Sequence, residues 1–336
     1  MGVGERASAA GAAPAVVPGR AGAGRFGRGA GTVLADYGIW AALAIAIVVS
    51  AATAPRFLSG ANIHDLMSAM AVLGIVSVGQ TVVILSGGID LSVGMLMGLV
   101  TVLTNGIMNG DAALAWPMVA LGLAIGLGVG LLNGGLLVLT RIDPLILTFG
   151  MLSILTGAIF VYTDQTVGAA PANFRAIAQG SLGPFPYLFL VMVVAAAIAW
   201  LVLTRTRFGR YVYAIGGAEE HARRAGIPIA PMKVAIYAIS GLTAGIAGIG
   251  LAARLGSGYT LAGQGFELDS IVAVVLGGTS LAGGRGSVIG TIGAVVFLAI
   301  LSNGLNLAGI SPYTQQVVKG LVVVAAVVLY TRARRA

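Results

Sequence analysis

The chain has 336 residues, of which 58% are hydrophobic and 9% are charged, and its mean hydropathy is +0.99. Soluble domains carry roughly 25% charged residues, so this composition excludes a soluble globular protein and predicts a polytopic membrane protein. The absence of cysteine excludes disulfides, thiolate metal sites and cysteine nucleophiles. The net charge of +8 does not indicate nucleic-acid binding, because the arginines are scattered between apolar runs instead of lining one face.

Residues 1–34 are predicted to form a disordered, basic cytoplasmic tail. They are rich in Ala, Gly and Pro, carry four arginines and offer little large apolar surface. The first apolar run, about 36–53, is followed by Ala54-Pro55-Arg56, so we interpret it as a retained span and not as a cleaved signal. Residues 35–336 are predicted to form a single transmembrane domain.

We predict an all-α fold with about ten membrane-embedded helices, because apolar runs of near-spanning length follow one another along the chain. The runs lie at about 36–53, 65–86, 93–109, 114–139, 144–161, 185–203, 233–253, 268–283, 287–307 and 313–331. Three of them, 93–109, 144–161 and 268–283, are short for a full crossing, and we expect them to be tilted, broken or re-entrant.

The distribution of basic residues predicts the orientation. With both termini in the cytoplasm, fifteen basic residues lie inside and only Arg56, Arg175 and Arg254 lie outside, while Lys319 falls within a span. Basic residues concentrate on the cytoplasmic side of membrane proteins. Both termini and the loop 204–233 are therefore expected to be cytoplasmic.

Several polar residues lie inside apolar runs. Asn133 and Asn303 are expected to join neighbouring helices. Lys319 either extends to the outer interface, which we favour slightly, or pairs with Asp269 or Glu267.

Glycine accounts for 52 residues, and two glycine segments resemble each other. Residues 87–94 and 277–284 both fit the pattern Gly-Gly-x-x-Leu-x-x-Gly, and each follows an apolar run. Paired glycines permit a membrane helix to break where its free backbone groups are buried in protein. Corresponding positions in two related halves and chance similarity in a glycine-rich chain remain alternatives.

Asp90 and Gln80 are the polar residues most relevant to a path through the membrane. Asp90 either caps the helix that starts near Leu91, which we favour, or orients the break or binds a polyhydroxylated substrate. Gln80 either lines a path or bonds a neighbouring helix. The residues assigned to the translocation path or to a helix break are Gln80, Gly87, Gly88, Asp90, Ser92, Gly277 and Gly278.

The loop 204–233 holds the densest cluster of charge in the chain. Glu219 with Arg223 and Glu220 with Arg224 are spaced to stabilise a short helix by i,i+4 ion pairs, and Gly226 can end that helix. A short charged helix in this apolar chain indicates a contact surface, and a solvated loop with membrane-orienting arginines is an equal alternative.

The sequence lacks the motifs of the common catalytic sites. It has no Gly-x-x-x-x-Gly-Lys-Ser/Thr phosphate loop, no His-Glu-x-x-His pair and no Gly-x-Ser-x-Gly elbow. We therefore do not expect the chain to be an enzyme, and we predict neither catalytic residues nor a metal site.

Four ordered segments resemble the permease subunits of sugar-type ATP-binding-cassette importers, the ribose, xylose, arabinose and galactose class. The segments are 79–94, which contains Gly-Gly-Ile-Asp-Leu-Ser, 143–150, 209–226 and 268–290. The resemblance covers about residues 57–329.

This resemblance implies a permease for a small polar solute, expected to be a monosaccharide, in the bacterial inner membrane. It implies three protein partners: a separate ATPase subunit that binds the ATP, an extracytoplasmic solute-binding protein that the loop 162–187 would suit, and a second permease copy. No cofactor is expected in this chain, and no partner beyond these proteins and the lipid bilayer. The residues that match the coupling segment are Glu219, Glu220, Ala222, Arg223, Arg224 and Gly226.

An ion-coupled secondary transporter acting without an ATPase is the alternative. In that case Asp90 or Asp269 would bind the coupling proton or cation. A solitary carrier has no need of the charged helix at 219–226, so that helix separates the two hypotheses.

Overall fold

The computed structural model describes residues 30–311 and 313–321, with side chains from residue 39 onward. These residues are mostly helical, which confirms the predicted all-α fold. The helices are α1 (Ala30–Thr53), α2 (Gly60–Leu85), α3 (Val93–Met108), α4 (Ala115–Thr140), α5 (Pro144–Tyr162), α6 (Ala172–Gln179), α7 (Tyr187–Arg205), α8 (Arg207–Gly217), α9 (Glu219–Arg224), α10 (Ile229–Leu255), α11 (Phe266–Leu276) and α12 (Val288–Leu307). A 3-10 turn (Ala112–Leu114), a hairpin of β1 (Ser181–Leu182) and β2 (Phe185–Pro186), and a last helical segment, 313–321, complete the described chain.

Six of the described helices are long and apolar enough to cross a membrane: α2, α4, α5, α7, α10 and α12. The part of α1 from Ile39 and the whole of α3 are shorter apolar helices. The run 144–161 is not short, because α5 has 19 residues. The run 268–283 contains only the 11-residue α11. The count of ten embedded helices and the cytoplasmic position of both termini stay predictions.

The ends of the chain fall largely outside the described residues. Helix α1 begins at Ala30, inside the segment predicted to be a tail. Residues 1–29 and 322–336 are not described, so the disordered tail and the extent of the last apolar run stay predictions.

Helix α2 forms the centre of the bundle. Every residue from 70 to 85 is buried, and the helix packs against α7, α10, α11 and α12. A helix that is apolar on all sides finds no surface suited to water, so it is stable where other helices surround it. The other elements are therefore arranged around α2.

Glycines allow α4 and α10 to approach at backbone distance. A Cβ atom on Gly126 would lie 2.5 Å from the carbonyl oxygen of Gly241, and one on Gly245 would lie 2.8 Å from that of Gly122. A Cβ atom on Gly130 would overlap the carbonyl oxygen of Tyr237. Close approach of this kind stabilises helix pairs in lipid through van der Waals contact.

Polar side chains join other helix pairs. Asn62 of α2 and Asn303 of α12 exchange two hydrogen bonds of 3.0 and 2.9 Å through their amides. Thr81 of α2 donates to Thr291 of α12 over 3.0 Å. Asn303 thus joins two helices, as its position in an apolar run predicts.

Lys319 forms an ion pair and does not extend to the outer interface, which is the interpretation that we favoured. Its ammonium group lies 3.1 Å from the carboxylate of Asp269, and both side chains are partly buried. The pair connects the segment 313–321 to α11. Pairing prevails over extension to the interface because a cation in an apolar region is stabilised by an opposite charge within reach.

We predict that replacing Gly130 with alanine destabilises the bundle, because the new methyl group would overlap the Tyr237 backbone. Overpacking of this kind costs about 1–3 kcal/mol, so the thermal midpoint of the purified protein in detergent should fall. Gly128 lies on the same helix with open space at its Cβ position and provides the control. Equal midpoints for Gly130→Ala and Gly128→Ala would contradict the close packing of α4 on α10.

Candidate functional site

The first glycine segment ends α2. Ser86 caps the helix, Gly87 adopts a φ of +83°, and the amide of Gly88 donates to the carbonyl of Val83 over 3.1 Å. This is a Schellman ending, in which a left-handed residue lets two amides satisfy the last carbonyls of a helix. Gly88 is also confined sterically, because a Cβ atom there would lie 2.6 Å from the Tyr237 hydroxyl.

The second glycine segment ends α11 in the same way. Gly277 caps the helix, Gly278 adopts a φ of +88°, and the amide of Thr279 donates to the carbonyl of Val274 over 3.2 Å. The left-handed residue is the second glycine of this pair but the first glycine of the earlier pair. The two motifs are therefore not equivalent residue by residue, although both end a helix.

Asp90 lies in the linker between α2 and α3 and is only 1% exposed. One carboxylate oxygen accepts from the amide and the hydroxyl of Ser92, at 3.0 and 2.6 Å, and the other accepts from the hydroxyl of Ser240 on α10, at 2.8 Å. Ser92 in turn accepts from Asn133 of α4 over 3.0 Å. Asp90 therefore bonds an amide at the start of α3, and it ties the linker to α10 and, through Ser92, to α4. Its role in a helix break or in the translocation path stays a prediction.

Gln80 lies one turn before the end of α2 and is completely buried. Among the described residues neither its amide nitrogen nor its amide oxygen has a hydrogen-bond partner, and the Ser77 hydroxyl one turn earlier has none either. Of the two alternatives for Gln80, the bond to a neighbouring helix is therefore not formed among the described residues. A buried amide without partners costs free energy, which makes Gln80 the clearest candidate for a group kept for another purpose.

The charged segment contains the short helix α9, with the expected ion pairs. Glu219 and Arg223 lie 3.1 Å apart, as do Glu220 and Arg224. The helix ends through Gly226, whose φ is +81°. Ala222 is buried, while the side chains of Glu220, Arg223 and Arg224 are exposed. Helix α9 thus packs through a small residue and presents its charges outward.

A further ion pair fixes α9 to the bundle. The Lys233 ammonium group of α10 lies 2.8 Å from the Glu219 carboxylate. Partial burial raises the pKa of Glu219, but hydrogen bonds and charge attraction from Lys233 and then Arg223 outweigh it, so the pKa lies below its ordinary value. Glu219 is therefore ionised at neutral pH and holds α9 against the start of α10.

Helix α8 was not predicted, because its arginines were assigned only to membrane orientation. It buries Gly209, Val212 and Ile215 and packs against α7, α2 and α10. The signal that could have revealed it is the apolar spacing Phe208, Tyr211, Val212 and Ile215, which follows the helical pattern i, i+3, i+4, i+7.

The end of α8 meets the two glycine segments. The amide of Gly284 donates to the carbonyl of Leu85, the last residue of α2, over 2.9 Å. Beside this contact lies a polar cavity of about 300 Å³. Its lining residues are Gly216, Gly217, Ser280, Ala282, Gly283, Gly284 and Arg285. The end of α2 and the last residues of the second glycine segment are thus adjacent to the end of α8.

The segment 162–187 is ordered around α6. Helix α6 buries Phe174 and packs against α10, and Val167 forms a β-bridge with Gly258. Asp164 and Arg175 remain exposed. The segment therefore presents a polar surface on a fixed backbone.

Known proteins of similar sequence are permeases. The chain is 41% identical to the ribose import permease protein of Bacillus subtilis over 302 residues, which cover 88% of this chain and 93% of the relative. It is 39% identical to the ribose import permease protein of Escherichia coli, over 86% of this chain and 91% of the relative. It is 35% identical to the L-arabinose transport system permease protein of Escherichia coli, over 89% of this chain and 91% of the relative.

No solved structure matches the chain. A family model described as branched-chain amino acid transport system / permease component matches residues 62–327. This range includes both glycine segments, Asp90 and the charged helix. The chain therefore belongs to this family of transport-system permease components, as its motifs predict.

Proposed function

We propose that the chain is the membrane-spanning subunit of an ATP-driven importer in the bacterial inner membrane, and that its solute is a monosaccharide. The observation that carries this proposal is its 41% identity to a ribose import permease over 88% of the chain. A fructose import permease protein of Rhizobium meliloti is also 36% identical. Branched-chain amino acids are the second candidate solute, because the family description names them.

Helix α9 would dock into a groove of a separate ATPase subunit, which supplies the ATP site. Its exposed charges support this role, because they offer a partner a specific surface. The ion pair of Glu219 with Lys233 supports it too, because it attaches α9 firmly to the bundle. The inferred cytoplasmic position of the loop 204–233 places α9 where ATP is available. The coupling residues remain Glu219, Glu220, Ala222, Arg223, Arg224 and Gly226.

The ordered segment 162–187 would contact an extracytoplasmic solute-binding protein, and a second permease copy would complete the translocation path. Exposed polar groups such as Asp164 and Arg175 on a fixed backbone suit a transient protein contact.

The ion-coupled alternative lacks a free acid in the places where we expected one. Both oxygens of Asp90 accept hydrogen bonds from serine groups, and Asp90 is buried. Asp269 is paired with Lys319. Neither carboxylate is available to a transported cation without breaking these contacts, whereas the exposed charges of α9 have no role in a solitary carrier.

We predict that exchanging Glu220 and Arg224 weakens binding of the ATPase subunit. The double variant Glu220→Arg, Arg224→Glu keeps an i,i+4 pair and therefore the helix, but it reverses the outward charge pattern. Because like charges brought together across an interface are costly, we expect the dissociation constant in nanodiscs to rise about tenfold or more. Asp164→Lys, on the opposite surface, is the control, and unchanged affinity of the double variant would refute docking through α9.

The attachment of α9 should depend on pH in one direction. Since the pKa of folded Glu219 is lowered, its pairing with Lys233 contributes stability above the pKa of the unfolded chain, and that stability is lost as pH falls through the folded value. Hydrogen exchange of the α9 amides should therefore be constant between about pH 6 and 8, after correction for intrinsic rates, and less protected below about pH 4. In Glu219→Gln the acid-dependent change should be smaller, because the Glu220 pair with Arg224 remains. A change of unaltered size there would assign it to another group.

We predict that Gln80→Met separates stability from transport. The buried amide has no partner among the described residues, so removing it should preserve or raise the thermal midpoint, since an unsatisfied group costs about 1–3 kcal/mol. If Gln80 binds solute during passage, uptake of labelled ribose by the reconstituted importer should fall at least about threefold. Ser68→Ala, which removes another buried, unpartnered group of α2, should leave uptake unchanged. Normal uptake by Gln80→Met would remove Gln80 from the path.

A further inference from the structure

We propose that four glycines form the mechanical link between the docking helix and the helix ends inside the membrane domain. They are Gly87, Gly216, Gly283 and Gly284, which we call the glycine junction. The inference rests on the proposed function, because it assigns the route by which movement of α9 reaches the bundle. In this proposal Gly216 is a positioning residue, which acts through the backbone groups that it contacts.

Gly216 brings α8 into direct contact with two backbone groups. A Cβ atom on Gly216 would overlap the carbonyl oxygen of Leu85 and would lie 2.6 Å from the amide nitrogen of Gly284. These two groups are bonded to each other over 2.9 Å. The end of α8 therefore lies against the hydrogen bond that connects the end of α2 to the segment following α11.

Gly87 and Gly283 belong to the same contact. A Cβ atom on Gly283 would lie 2.8 Å from the amide nitrogen of Gly87 and 2.9 Å from the Cα of Gly216. Gly283 and Gly284 have φ values of +82° and +71°. Three segments that are distant in sequence thus meet through their backbones alone.

A hydrogen bond on the neighbouring turn supports the same link. Tyr213 of α8 donates to the carbonyl of Gly286 over 3.0 Å. Helix α8 therefore contacts the segment 283–286 at two successive turns, through the backbone at Gly216 and through a side-chain hydrogen bond at Tyr213.

Backbone contact suits the transmission of movement. Side chains between two elements can absorb a displacement by changing rotamer, whereas directly packed backbones must move together or separate. Only Ala218 separates α8 from α9. A tilt of α9 on the ATPase subunit would therefore displace Gly216 and, with it, the end of α2 and the segment 283–286 that follows α11.

The test uses Gly216→Ala and the adjacent Gly217→Ala. A Cβ atom on Gly217 would meet open space, so the two variants add the same methyl group to the same helix but only one disturbs the junction. Each is reconstituted with the ATPase subunit and the solute-binding protein. Affinity for the ATPase subunit, ATP hydrolysis and uptake of labelled ribose are measured.

We expect Gly216→Ala to bind the ATPase subunit normally, since the charges of α9 are unchanged, and to transport about tenfold less ribose per ATP hydrolysed. Gly217→Ala should match the wild type in all three measurements. Equal coupling in the two variants would overturn the junction while leaving the importer assignment intact. A wild-type complex that neither hydrolyses ATP nor moves ribose, leucine or another test solute would overturn the importer assignment itself, and with it the junction.

If Gly216→Ala fails to fold, the variant Tyr213→Phe tests the glycine junction instead. This variant adds no bulk and removes only the hydroxyl that bonds Gly286. A lower yield of transported ribose per ATP, with normal affinity for the ATPase subunit, supports the junction. A yield equal to that of the wild type, in the absence of folded Gly216→Ala, overturns it.

Discussion

The need to satisfy the last backbone carbonyls of α2 and α11 is met in the same way at both helix ends, and it governs this structure. The last carbonyls of a helix have no partner within it, so amides from the following residues or from other segments must replace water where these carbonyls are buried. Gly87 and Gly278 meet this need by adopting left-handed conformations. The carbonyl of Leu85 receives an additional amide from Gly284. Because that amide comes from the segment after α11, the end of α2 is joined to this segment, against which the end of α8 also packs.

At the start of α3, Asp90 supplies an acceptor for a backbone amide. Its carboxyl group is buried, and each of its oxygens accepts hydrogen bonds from serine groups, so both polar atoms have partners inside the bundle. The linker is thereby attached to α10, the helix that Lys233 connects to α9. Two connections therefore run from the charged helix to the first break: one passes along α10, and the other passes through α8.

Local features were predictable from the sequence, and tertiary contacts were not. The pairs Glu219 with Arg223 and Glu220 with Arg224 follow from helical spacing alone, and each glycine pair does end a helix. The bond of Lys319 to Asp269 could not be chosen over extension to the interface, because it depends on how α11 and the segment 313–321 pack. Helix α8 was missed because its arginines masked an amphipathic pattern that is visible in its apolar residues. The isolation of Gln80 required knowledge of every helix around α2.

The buried and half-buried acids constrain the source of energy for transport. Asp90 is bonded to serines, Glu267 accepts from the amide of Gly265 at 3.1 Å, and Asp269 is paired with Lys319. A carrier driven by protons or cations requires an acid that exchanges partners during each cycle, and each of these three carboxylates already has partners that position the fold. The exposed charges of α9, at Glu220, Arg223 and Arg224, do not hold the fold together in this way. Ion pairs in water contribute little to stability. In the proposed importer, the ATPase subunit acts on this exposed surface of α9. The buried acids keep the helices attached to one another while they move.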